Sequence, residues 1–175
     1  MQIHGKCGLF IKKGKKMEIE RTEVLVRPAY ENEWENAMGL AWKVFLKFEA
    51  CDYTEQGVSS FQDFITDQTL KKVFLTGEYQ LFVAVYRNEI IGLISLRNRT
   101  HISLLFVDEE FHKQGVGRML MEYLWNYLST EMGEHRVTVN SSPYATGFYH
   151  RLGFLDTDSE LVADGIRYTP MVYVI

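Results

Sequence analysis

Val107-Asp108-Glu109-Glu110-Phe111-His112-Lys113-Gln114-Gly115-Val116-Gly117-Arg118 joins an apolar run, Ile102 to Val107, to a long amphipathic segment that begins near Val116. Two glycines stand at the junction. A strand that turns into a helix in this way presents the unbonded N–H groups of the first helical turn, and the positive end of the helix dipole, to whatever lies at the turn. Glycine lets an anion come close to that backbone, so the geometry suits a phosphate group. A glycine pair also satisfies a tight turn for steric reasons alone. The stretch is not GxxxxGK[ST], and its GxG lacks the third glycine and the distal acid of a dinucleotide fold, so neither of those nucleotide-binding routes applies.

Upstream, Leu81 to Tyr86, Ile90 to Leu96 and Ile102 to Val107 read as strands separated by Arg87-Asn88-Glu89 and by Asn98 to Thr100, an antiparallel meander. Its middle is apolar on both faces, which calls for helices on both sides of the sheet. Val24 to Arg27 is a shorter β-type run closed by Pro28, and a helix follows from Asn32, with Glu35 at the capping-box spacing. Trp34, Ala37, Met38, Ala41, Trp42 and Phe45 line one face of that helix, and helical or irregular chain continues through Phe64. Downstream, Met119, Leu120, Tyr123, Leu124, Tyr127 and Leu128 form a second stripe that ends before Gly133. Arg136 to Asn140 is a further strand, Ser142-Pro143 opens another helix that Gly153 stops, and Arg167 to Ile175 closes the chain as a strand.

The expected architecture is α/β: one domain over residues 22–175 with a mixed, mostly antiparallel central sheet and helices on both faces. Residues 1–21 read as an N-terminal extension without a catalytic role, and Met17 could be an alternative start. A length of 175 residues with 46% apolar content suits a single core. A net charge of −4 supplies no basic face for nucleic acid, and Lys12, Lys13, Lys15 and Lys16 read as a solvated tail. No apolar run approaches the roughly 20 residues of a membrane span and no export signal is visible, so the expectation is a cytoplasmic protein without a membrane partner. Cys7 and Cys51 have neither a CxxC neighbour nor a histidine at ligand spacing, so no metal is expected, and Cys51 reads as a bland thiol.

His112-Lys113-Gln114-Gly115-Val116-Gly117 resembles the pyrophosphate-binding [Q/R]xxGx[G/A] signature of the GNAT N-acetyltransferases, with His112 where the family usually has Gln or Arg. Asn140-Ser141-Ser142-Pro143-Tyr144-Ala145-Thr146-Gly147-Phe148-Tyr149-His150-Arg151-Leu152-Gly153-Phe154 is similar to the family's later strand, helix and FYxxLGF ending. The resemblance runs from about Val24 to the C-terminus. It implies the GNAT-like acyl-CoA N-acyltransferase fold, acetyl-CoA as co-substrate, and direct transfer to an amine on a small molecule or peptide.

Residue by residue, the resemblance implies that the backbones of Leu105 and Val107 pair with pantetheine as an added strand would. The amides of Gln114, Gly115, Val116, Gly117 and Arg118 meet the pyrophosphate, with Lys113 or Arg118 adding charge and His112 at the signature's first position. Asn140 bonds the pantetheine arm, Phe148 packs near the thiol end, and Tyr149 is the general acid that protonates the departing thiolate. The amine must arrive neutral, so something must take its proton. His101, which heads the strand before the loop, and Glu49, after the aromatic segment Phe45-Leu46-Lys47-Phe48, are both candidate bases. Asp52, Tyr53 and Glu55 are placed to line the acceptor pocket. Two other readings stand beside catalysis: a non-catalytic acyl-CoA-binding sensor of the same fold, and an interaction protein that docks through Trp34, Trp42 and Phe45. The C-terminal strand, Val172 to Ile175, suits pairing into a homodimer.

Overall fold

A computed structural model describes residues 18–175 of the chain. The three-stranded meander forms as expected and the first strand joins its edge: β1 (Leu25–Pro28), β2 (Gln80–Tyr86), β3 (Glu89–Arg97) and β4 (His101–Val107) lie side by side, each antiparallel to the next. Arg87-Asn88 and Asn98-Arg99 make the two turns with positive φ at both residues (49° and 66°, 48° and 68°). That is the primed-turn geometry whose twist matches the flanking strands, and asparagine tolerates it better than most residues.

The described residues form five α-helices beside the sheet: α1 (Trp34–Phe48), α2 (Glu55–Thr66), α3 (Gln68–Leu75), α4 (Val116–Thr130) and α5 (Thr146–Leu152). The sheet is completed by β5 (Arg136–Ser141), β6 (Leu155–Asp156), β7 (Leu161–Ala163) and β8 (Ile166–Val174), in the order β1-β2-β3-β4-β5-β8-β6 with β7 also on β8. Leu120, Met121, Leu124 and Leu128 of α4 bury against Phe82, Ile91 and Ile94 on one face. Ala37, Met38, Val44 and Phe45 of α1 bury against Val83, Leu93, Leu104 and Phe106 on the other. Apolar residues on both faces of the meander are the direct cause of this three-layer arrangement.

Two local expectations are corrected. Asn32 lies inside a 3-10 turn, Glu31–Glu33, and Glu33 rather than Glu35 accepts from the Tyr30 N–H at 2.7 Å. Arg27 fixes the Glu33 carboxylate in place by a bidentate pair at 2.8 Å, while Glu35 pairs with Lys71. Ser142-Pro143 heads a turn, not a helix: the Ser142 carbonyl accepts from Ala145 and Thr146, and α5 starts at Thr146. At the C-terminus β8 pairs with β5 along one side, while on the other β6 covers only Met171 and Val172.

One pairing sets up the site. β4 and β5 are parallel, and their ladder is confined to His101↔Thr138 and Ile102↔Val139. Beyond it the strands diverge, because Val107 leads into the loop before α4 whereas Ser141 leads into the turn before α5. A bulge places Ser103 opposite no residue of β3, since Ser95 faces Leu104 and Leu96 faces Ile102. It flips the alternation, so that Ile102 and Leu105 both join the α4 face while Leu104 and Phe106 join the α1 face.

Candidate active site

The Asp108 to Gly115 loop is held from three directions. From α1, Lys43 reaches Asp108 at 2.8 Å and Lys47 pairs with Glu109. These contacts neutralise two of the three carboxylates beside the helix start. Burial pushes the Asp108 carboxyl up, but the Lys43 hydrogen bond and the Glu110 N–H outweigh it and hold it below the usual range. Within the loop, Gln114 Nε2 donates to the Glu110 carbonyl at 2.9 Å. From the N-terminal segment, the Ile19 N–H donates to Gln114 Oε1 at 3.0 Å and Arg21 Nε donates to the Gln114 carbonyl at 3.1 Å. The stretch read as a separate extension therefore touches the loop at its last residues.

The two glycines serve different ends. Gly115 has φ 91°, which a side chain would strain, and a Cβ there would come within 2.8 Å of the Arg21 guanidinium. Gly117 admits the Phe148 ring, 3.2 Å from where its Cβ would stand. The first intrahelical bond of α4 runs from Met119 to Gly115, and no side chain caps the helix, so the amides of Val116, Gly117 and Arg118 lack partners within it. Lys113 is exposed with φ 62°, and Arg118 is exposed beside Glu122 at 3.9 Å.

His112 turns inward. Its Nε2–H donates to the Val107 carbonyl at 2.6 Å, and its ring lies 5.0 Å from Phe48, which in turn lies 5.2 Å from Tyr144. The side chain at the signature's first position is thus directed at its own strand, and the Val107 carbonyl, expected to pair with pantetheine, is already engaged. The Asp108 N–H bonds the Ile91 carbonyl on β3 at 2.9 Å. By strand alternation the backbone of Leu105 therefore points the opposite way, toward the gap between β4 and β5.

Behind the gap lies a cavity of about 410 Å³. It collects Glu49, Tyr53, His101, Leu105, Asn140 and Tyr149, so most of the acid, base and pantetheine candidates share one space, whereas Phe148 stands outside its walls. Glu55, in the first turn of α2, is exposed and does not line it. Burial, reinforced by Asp52, pushes the Glu49 carboxyl up to about 7, with the Ser142 and Tyr53 hydroxyls partly opposing the shift. The Tyr149 side chain is buried, and that burial, with Glu49 nearby, keeps it a neutral phenol at any physiological pH. His101 goes the other way: burial and Arg97 push it down to about 4, and its Nδ1 lies 2.9 Å from Thr138 Oγ1. An imidazole this acidic is neutral at pH 7 but a weak base.

Sequence reading missed the roof of this cavity. Ala163, Asp164, Ile166 and Tyr168 come from the β7–β8 hairpin, whose tip is fastened to the start of α2. The Thr54 N–H donates to the Gly165 carbonyl at 3.2 Å, and a Cβ on Gly165 would lie 2.0 Å from Thr54 Oγ1. The exposed Leu161–Ala163 strand carries no burial pattern that could announce it, and the Asp164-Gly165 turn was its one sequence signal.

The described site thus combines a strand pair that opens, a helix start without a side-chain cap beside it, and a buried phenol and carboxyl in the space behind. The sequence matches the family described as acetyltransferase (GNAT) domain over residues 49–175, and the chain belongs to that family. Family membership makes the chemistry acyl transfer to an amine. A peptidyl-lysine N-acetyltransferase of Salmonella typhimurium, YjaB, is 31% identical over 102 residues, covering 56% of this chain and 66% of its own length. The fold is shared with a GCN5-related N-acetyltransferase from Rhodopseudomonas palustris (TM-score 0.75, 20% identity, 91% of this chain and 100% of that one). It is also shared with the PaiA N-acetyltransferase of Thermoplasma acidophilum in complex with coenzyme A (TM-score 0.73, 15% identity, 87% and 99%).

Proposed function

We propose that this protein transfers an acetyl group from acetyl-CoA directly to an amine held in the roofed cavity, with Glu49 as the base and Tyr149 as the donor to the departing sulfur. The observation that carries the reading is the opposed protonation of two groups in one cavity: a carboxyl that titrates near neutrality and a phenol that does not ionise.

The residues fit the donor. The amides of Val116, Gly117 and Arg118, with the positive end of α4, supply a site for the diphosphate. The backbone of Leu105 faces the open side of β4 and offers pantetheine the pairing that β5 does not provide, and Asn140 lies across the gap. His112 acts indirectly, by fixing the Val107 carbonyl and the loop.

Above pH 7 Glu49 is mostly ionised and accepts a proton from the incoming ammonium, leaving the amine nucleophilic. The Tyr149 hydroxyl donates a hydrogen bond to the sulfur as negative charge develops there, which lowers the barrier even where full proton transfer lags. His101 is too weak a base for the first step.

The reading is tested by CoA release across an amine panel with Tyr149→Phe. Turnover falls by about 10²-fold while the acetyl-CoA-induced rise in melting temperature is retained. Unchanged turnover removes Tyr149 from its role, and no thermal shift with saturating acetyl-CoA overturns the donor assignment.

A further inference from the structure

The cavity carries opposite charges at its two ends. At one, Glu49 faces Ser142 and Tyr53, close to the end of β5 and to Asp52, with Asp164 in the roof. At the other, Arg97 ends β3, directly opposite His101 in register, and His101 is in turn opposite Thr138. Thr138 and Ser142 are four residues apart on one nearly extended segment, so the two ends are about 13 Å apart measured along it. The reach of the Arg97 and Glu49 side chains shortens that gap to the length of a small molecule.

Arg97 has no carboxylate or hydrogen-bond partner among the described residues, whereas Arg27, Arg99, Arg118 and Arg167 each pair with a glutamate. The groups that feel its charge are His101, which is neutral, and Tyr79, whose hydroxyl is taken up by Ser95 at 2.7 Å. Arg97 is exposed overall, and no described carboxylate pairs with it where it lines the cavity. Phe45, Phe61 and Phe64 add apolar wall to the same cavity.

Resting on the transferase reading, we infer that the acceptor is a small zwitterion, an amine carrying its own carboxylate, with the amine at Glu49 and the carboxylate on Arg97. A guanidinium suits a carboxylate because it can donate two parallel hydrogen bonds. The same arrangement selects against polyamines, whose second ammonium would meet Arg97, and against a lysine within a protein chain, which brings no carboxylate at that distance. The fastened hairpin tip favours a free small molecule over a folded protein as well. No chemistry beyond the transfer is needed: the ammonium gives one proton to Glu49, the C–N bond forms, the C–S bond breaks with its electron pair going to sulfur, and the second proton on nitrogen is relayed through the Tyr149 hydroxyl to the thiolate, leaving the amide and CoA-SH.

The test uses the full chain, acetyl-CoA and matched acceptors that differ only in the carboxylate: lysine against cadaverine, phenylalanine against phenethylamine, and glycylglycine against its amide. At least one carboxylated member is expected to exceed its twin about tenfold or more in kcat/KM, and R97Q abolishes that preference by raising the KM of the carboxylated member alone. Equal use of the twins, preference for the decarboxylated ones, or an equal loss on both in R97Q overturns the inference. Calorimetric titration of the same pairs onto the CoA-bound protein separates the two levels of the argument. An R97Q-sensitive preference in binding without turnover refutes the transferase reading but upholds the recognition, whereas turnover without any preference does the reverse.

Discussion

Glu49 and His101 show what a residue's surroundings decide. Both are ordinary titratable side chains in the sequence, and burial drives their pKa values in opposite senses, to about 7 and about 4. The pH–rate profile should therefore rise through a limb near pH 7 that Glu49→Gln removes and His101→Gln leaves in place. Stability follows with a definite sign. Because the Glu49 carboxyl is raised above its ordinary value, the folded state holds a proton that the unfolded chain releases between about pH 4.5 and 7. Stability is lost as pH rises through that window, and Glu49→Gln should raise the melting temperature at pH 8 while changing it little at pH 5. The opposite ranking would mean that the carboxylate is well paired in its ionised form. Candidate residues could be named from the sequence, but their order could not, since the cause is desolvation by elements distant along the chain. Arg21 was missed for the same reason: its contact with Gln114 spans 93 positions. Arg21→Ala is expected to loosen the loop and weaken CoA binding several-fold in a thermal-shift titration, with acceptor KM unaffected.

At the level of elements, the meander was legible because its turns carry asparagines and its strands are apolar throughout, so local chemistry and fold agree. The long stripe of α4 was legible by the same logic. Leu120, fully buried under the sheet, should cost about 2–5 kcal/mol on replacement by alanine, read in urea unfolding. The β7–β8 hairpin was not legible, because its value lies in the contact its tip makes with α2, where Gly57 and Gly165 meet backbone to backbone. Gly165, with φ 78°, tolerates no side chain beside Thr54. Gly165→Ala is expected to raise the acceptor KM several-fold with acetyl-CoA binding unchanged; a matching loss of acetyl-CoA binding would show that the hairpin serves the whole sheet instead.

For the molecule as a whole, the order from β1 and α1 through the meander to α4, β5 and α5 followed from the sequence while α2, α3, β6 and β7 did not, and the site lies at the two-residue ladder between β4 and β5. That ladder is nearly all the backbone hydrogen bonding between a half-sheet of β1 to β4 and a second of β5, β8, β6 and β7. Without ligand, the two halves should report as separate units in amide exchange, with the amides of β5 exchanging at a rate of their own rather than at that of the meander. A bound molecule lying along the split would supply the missing rungs and merge the two into one cooperative block. The substrate would then act as part of the folded architecture, and the empty enzyme would be the less finished protein.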